Sequence, residues 1–284
     1  MTITHRHSPP NEYVHPTGRL GRLPRISRPK ALLLGNFIHP TGTPPKVVRY
    51  WSSRADFPLL TYGNTQYGDC TIASQAQAAL RHERIEQRRT TSIPETEPVR
   101  VYTALSDRLY GGGDNGAYEV DALNNWRDPD LTFRDYKGRA LTIDAYVRIN
   151  VADLDELRWA ISMAGAHGIK ACLNLPWAFA SLTPPNDWAI PAGQPLTGDW
   201  MPGSWGGHSM FWRDYDEVGP YVVHTWGFPD QRITWEAVTA YCDEAHLVVD
   251  SFDYWRTKKP EAAKGLDFQK LRREVNRVSR VKIA

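Results

Sequence analysis

Cys70 stands where a Gly-rich turn, Gly63-Asn64-Thr65-Gln66-Tyr67-Gly68-Asp69, becomes the Ala-rich run Thr71-Ile72-Ala73-Ser74-Gln75-Ala76-Gln77-Ala78-Ala79-Leu80. A thiol at a helix N-terminus meets unpaired N–H groups and the positive end of the dipole, which can lower its pKa from about 8.5 to roughly 3.5–7.5. Such a thiolate attacks carbonyl carbon. Far down the chain, Gly206-Gly207-His208-Ser209-Met210 offers an imidazole that could hold the thiolate as an ion pair and later protonate a leaving group. The plain alternatives are a cysteine acting as a small buried hydrophobe and a histidine satisfied within a hairpin.

The elements that must position this pair fall into two halves. A helix is expected from Cys70 to about Gln87, then a polar break over Ser92–Pro98 and a second helix opening at Val101-Tyr102-Thr103-Ala104-Leu105 and ending at Gly111-Gly112-Gly113. Tyr118, Val120, Leu123 and Trp126 have the spacing of a short amphipathic helix, stopped by Asp128-Pro129-Asp130. The β-rich half follows. Strands are expected at 146–150 and 169–175, with a helix opening at Asp153 between them, then a long loop from Trp177 to Gly203. Residues 208–215 and 219–226 read as a hairpin, 234–242 as a short helix and 245–250 as a strand. Trp177, Trp188, Trp200 and Trp205 lie in the loop, where aromatics tend to line a groove or an interface, whereas Trp126, Trp159, Trp226 and Trp235 fall at apolar positions of elements.

At 284 residues with 41% hydrophobic and 23% charged side chains, the chain can bury a substantial core. No apolar run approaches the roughly 18 residues of a membrane span, and the first ten residues hold no signal-like apolar core. Export by a cleavable signal is therefore not expected, which fits a cytoplasmic location. Cys70, Cys172 and Cys242 are too few and too dispersed for a disulfide framework or a zinc site, and Cys172 and Cys242 read as core residues. His5, His7 and His15 lack companion ligands, so neither metal nor cofactor is expected. A net charge of +2 gives no global pull on nucleic acid, but the charge is uneven. Residues 1–49 form a Pro- and Arg-rich extended arm, 50–258 the main domain, and 259–284 a basic tail read as helical, with Leu271, Val275, Val278 and Ile283 at helical spacing. The arm can pack along its own domain or onto a protein partner; the tail is a solvated helix end by default, or a surface for a partner helix or a nucleic-acid backbone.

The order of a helical half with cysteine, a β-rich half with histidine and a Trp-Gly strand end resembles the papain-like cysteine peptidase superfamily, over about Tyr50 to Asp250. Gly68-Asp69-Cys70 resembles the family's Gly-x-Cys, in a Gly-Asp-Cys form met among actinobacteria and their phages; Gly112-Gly113-Asp114-Asn115-Gly116-Ala117-Tyr118 resembles the segment bordering its substrate cleft. Gly207-His208-Ser209-Met210 and His224-Thr225-Trp226-Gly227 resemble its His-Ala-Val and Asn-Ser-Trp-Gly elements. The resemblance implies an α+β, two-lobed fold and an amide hydrolase. It carries the oxyanion amide onto Asn64, six residues before Cys70, with Gln66 as the alternative donor. It places the residue that orients the catalytic histidine at His224, 16 residues after His208, where the family has Asn; Thr225 is the second candidate, and Trp226 would shield the bond.

The expected activity is cleavage of an amide, in the first instance a peptide bond of a peptide or protein substrate, through a Cys70 thioacyl-enzyme. One rival is a catalytically weakened papain-like structural protein, tied by arm and tail into a larger assembly such as a phage virion. Another is acyl transfer other than proteolysis, of the transglutaminase or amidase kind. A groove filled by the protein's own side chains would favour scaffolding.

Overall fold

The computed structural model describes residues 18–26, 31–49, 59–86, 90–164, 168–251 and 265–278. Helix α1 (Cys70–Glu86) is the central element: every residue from Cys70 to Glu83 is buried. Ala73, Ala76, Ala78 and Ala79 make this possible, because short side chains let neighbouring backbones approach on all sides. Around it pack α2 (Thr96–Tyr110) and α3 (Glu119–Trp126). Helix α2 begins ahead of the expected Val101 because Pro98 sits in its first turn, where the missing N–H removes no helical bond. Gly111, at φ 80°, closes it and donates its N–H to the Ser106 carbonyl.

The second lobe is a six-stranded antiparallel sheet: β1 (Ala145–Ile149), β2 (Ile169–Leu175), β3 (Gly206–Tyr215), β4 (Pro220–Val223), β5 (Gln231–Arg232) and β6 (Cys242–Val249), in the order β1-β6-β2-β3-β4-β5. Helices α4 (Leu154–Ala164) and α5 (Trp235–Tyr241) pack against it. Asp153 caps α4, accepting the N–H groups of Asp155 and Glu156 at 3.0 and 3.1 Å. Each lobe has its own core, and Phe211, Val223 and Val248 of the sheet extend into the helical one.

Several local expectations need correction. β4 stops at Val223, leaving His224, Thr225 and Trp226 in an irregular segment, and β6 begins at Cys242, immediately after α5. β5 is two residues long, too short to leave a periodic trace. Trp188 lines no open groove: it is 1% exposed and stacks on Phe179 at 5.6 Å. Cys172 and Cys242, by contrast, are free and buried in the core as expected.

The described parts of the arm and tail lie on the chain's own surface. Leu34, Phe37, Ile38 and Val48 enter the sheet-lobe core, and Leu33 and Val48 bridge to Arg148 and Tyr215. Helix α6 (Phe268–Val278) buries Leu271 and Val275 in that core, and Lys270 donates to the Asn36 carbonyl at 2.9 Å. Two of the four residues at helical spacing, Leu271 and Val275, are thus covered by the protein itself, whereas Val278 stays exposed; Ile283, His5, His7 and His15 lie outside the described residues. Among the described residues, no helix is long and apolar enough to cross a membrane.

Candidate active site

The lobes meet along α1 and β3, which carry the two residues singled out for chemistry. Cys70 is the first residue of α1, and His208 lies near the start of β3, held in register against Leu173 of β2. A hydrogen bond from the Ser209 backbone reaches the Cys70 sulfur, so the thiol sits against the residue that follows His208. Trp226 stacks on the His208 ring, 4.3 Å between centroids and 24° between planes. Cys70 and His208 are both fully buried.

Behind the imidazole, Thr225 Oγ1 stands 3.5 Å from His208 Nε2 and donates to Asn64 Oδ1 at 2.6 Å. Because the hydroxyl proton is directed at Asn64, the Thr225 oxygen faces the ring as an acceptor. A ring protonated at Nε2 can donate to that oxygen, which leaves Nδ1 unprotonated. Asn64 in turn donates Nδ2 to the Tyr67 carbonyl at 2.9 Å, tying the turn before α1 to the segment after β4. His224 points Nε2 at Gln231 Oε1, 2.8 Å away, and its carbonyl accepts from Gln77 Nε2 at 2.7 Å. Gln66 is exposed, and its backbone carbonyl accepts from Arg19 Nη1 at 2.7 Å. Of the residues named from sequence, Asn64, Thr225 and His208 form one chain of contacts beside Cys70; His224 engages Gln231.

A charged cluster that periodicity did not single out lies beneath the thiol. Lys170 Nζ donates to Ser74 Oγ and, at 2.7 Å, to Ser209 Oγ, and it is 3.6 Å from Glu119 Oε1; Ser209 Oγ donates to Glu119 Oε2 at 2.6 Å. Both charged side chains are fully buried. Lysine in the otherwise apolar run Ile169-Lys170-Ala171-Cys172-Leu173 was the available signal, since an ammonium is buried only with partners.

The groove above Cys70 is occupied by the arm. Arg19 N donates to the Asn64 carbonyl (2.8 Å), Arg22 N to Gly207 (3.0 Å) and Leu23 N to Ala117 (2.9 Å), while Ala117 N donates to Gly21 (2.8 Å). Trp226 Nε1 donates to the Arg19 carbonyl at 3.1 Å. Residues 19–23 therefore bind in extended form through their backbone, bridging the helical lobe at Ala117 and the β lobe at Gly207. Arg19 pairs with Asp114 at 2.7 Å, and Asp114 also accepts from Gly68 N and Tyr102 Oη. With the arm seated, burial pushes the Cys70 thiol up to about 12, outweighing the Ser209 hydrogen bond and the Lys170 charge that pull it down. In this state the thiol is protonated.

A helical lobe opened by a buried cysteine, an antiparallel lobe carrying the histidine, and a groove between them define the papain-like cysteine protease fold. Similar solved structures include xylellain, a cysteine protease from Xylella fastidiosa, with a TM-score of 0.56 and 17% identity over 82% of this chain and 96% of that one. The cysteine protease CMS1MS2 of Carica candamarcensis, in complex with E-64, matches with a TM-score of 0.52 and 14% identity over 72% of this chain and 98% of that one. No protein-family model matches the sequence, and no curated protein matches it.

Proposed function

We propose that the protein is a latent papain-like cysteine hydrolase, cleaving a peptide bond once residues 18–23 leave the groove. The observation that carries this is the coincidence of two features at one place: Cys70 against Ser209, the neighbour of a His208 that meets Thr225 and, through it, Asn64, and above it a groove that binds an extended peptide segment through its backbone. When the arm lifts, the desolvation that holds the thiol protonated is relieved, and the N-terminus of α1 and Lys170 favour the thiolate.

In the reaction, His208 Nδ1 takes the Cys70 proton and the sulfur attacks the carbonyl carbon, pushing the π electrons onto oxygen. The N–H groups at the start of α1 stabilise that oxyanion. Collapse breaks the C–N bond, and the amine leaves with the proton held by His208. Water, deprotonated by the same ring, then hydrolyses the thioester and restores the thiol.

The full chain should alkylate slowly at Cys70 with iodoacetamide near neutral pH, and a Gly21→Ala chain should alkylate faster than a free thiol and hydrolyse peptides. The filled groove favours the scaffold reading instead if the Gly21→Ala chain, still folded, leaves Cys70 no more reactive than a free thiol.

A further inference from the structure

The sequence of the seated segment is Gly18-Arg19-Leu20-Gly21-Arg22-Leu23, a three-residue unit used twice. Its two arginines are treated differently. The Arg19 side chain keeps 19% of its surface exposed, whereas that of Arg22 is 0% exposed. Arg22 Nη1 lies 2.9 Å from the Asp243 carboxylate and 3.3 Å from Asn174 Oδ1, and Nη2 lies 2.8 Å from Glu244 Oε2.

All three partners belong to the sheet or its edge, not to the arm. Asn174 is fixed on β2 opposite Gly207, and Glu244 on β6 opposite Cys172. The receptor is therefore built by the domain itself. It lies beside the chemistry, because the backbone of Arg22 is bonded to Gly207, the residue before His208. Any extended peptide that replaces the arm along the edges at Ala117 and Gly207 sets a side chain into this pocket. Two adjoining carboxylates select a cation, and acceptors facing both terminal nitrogens suit a planar guanidinium better than the point charge of lysine.

We propose that the pocket formed by Asn174, Asp243 and Glu244 is an arginine subsite of the groove, occupied here by Arg22, and that the peptide displacing the arm places an arginine in it. That peptide being a substrate rests on the hydrolase reading above; the binding preference does not.

The test uses the full chain carrying Cys70→Ser, which removes the nucleophile, and Gly21→Ala, which lifts the arm. Calorimetry compares the peptide Thr-Gly-Arg-Leu-Gly-Arg-Leu-Pro with a twin in which the second arginine is citrulline, an uncharged isostere. The citrulline peptide should bind about ten- to a hundredfold more weakly, and adding Glu244→Gln should remove most of that gap. Equal affinities, a gap that survives Glu244→Gln, or no binding of either peptide by a protein with native near-ultraviolet circular dichroism would each overturn the subsite. Should the double variant not fold, full-length Arg22→Ala serves. Propylguanidine should then raise its melting temperature and propylammonium should not; equal responses overturn the proposal. A Gly21→Ala chain that retains Cys70 and hydrolyses leucine- and arginine-bearing peptides alike would leave the hydrolase standing and the subsite refuted. Selective binding without any turnover would do the reverse.

Discussion

Gly21 packs so closely on Gly68 that a Cβ at Gly21 would lie 1.8 Å from the Gly68 carbonyl oxygen. The obstructing atom is backbone, two residues before Cys70, and cannot rotate away. Gly21→Ala should therefore unseat the arm while the sheet and helices persist. Limited proteolysis should cut residues 18–26 of the variant at least about tenfold faster than in the parent chain, since cleavage tracks the open population. Unchanged protection would show that the arm accommodates the methyl group.

The buried thiol gives a pH signature. With its pKa raised to about 12 by burial, Cys70 of the parent chain is protonated throughout the neutral and mildly alkaline range. Its alkylation rate should climb about tenfold per pH unit from pH 7 to 10 without a plateau. In the Gly21→Ala chain the rate should level off below pH 9. Mass-spectrometric counting of alkylated Cys70 at each pH distinguishes the two curves.

Thr225→Val keeps the shape but removes the oxygen facing His208 and the donor to Asn64. In the arm-lifted chain it should lower kcat about ten- to a hundredfold, as expected for losing a buried hydrogen-bond partner. Thr225→Ser should restore most of the rate. His224→Gln, which alters the pairing with Gln231, should cost less. The reverse order of effects would return the orienting role to His224.

Lys170→Met leaves Glu119 as a buried carboxylate without its cation, and should destabilise the fold by about 3–5 kcal/mol. A combined Lys170→Met and Glu119→Gln chain should recover a large part of that loss. Urea unfolding monitored by tryptophan fluorescence measures both.

His246 is buried on β6 facing Arg148, Lys170, Arg22 and Arg25, with Glu244 3.8 Å from Nε2. Burial first, and those cations next, lower its pKa from 6.5 to about 3. Between these values the unfolded chain binds a proton that the folded chain does not. This site's contribution is therefore fully present above pH 6.5 and is lost as the pH falls toward 3, at up to about 1.4 kcal/mol per unit. His246→Gln should flatten the acid limb of a stability-against-pH curve; an unchanged limb would refute the assignment.

Local sequence determined much of the architecture because its signals act over a few residues. The Gly-rich turn and alanine run placed α1 at Cys70, Asp153 announced the cap of α4, and the apolar run at 169–175 became β2 with those bounds. The order of cysteine, histidine and Trp-Gly elements was enough to anticipate a two-lobed α+β fold. What stayed illegible depends on contacts between distant segments. Whether the His208 ring meets Thr225 or His224 turns on where β4 ends, a matter of one residue that no periodicity resolves. That Lys170 is neutralised by Glu119, 51 positions earlier, follows from the packing of α3 against β2 and β3. Likewise, the basic arm is a groove-filling strand because Asp114, Asp243 and Glu244, scattered through the sequence, converge on it only after folding.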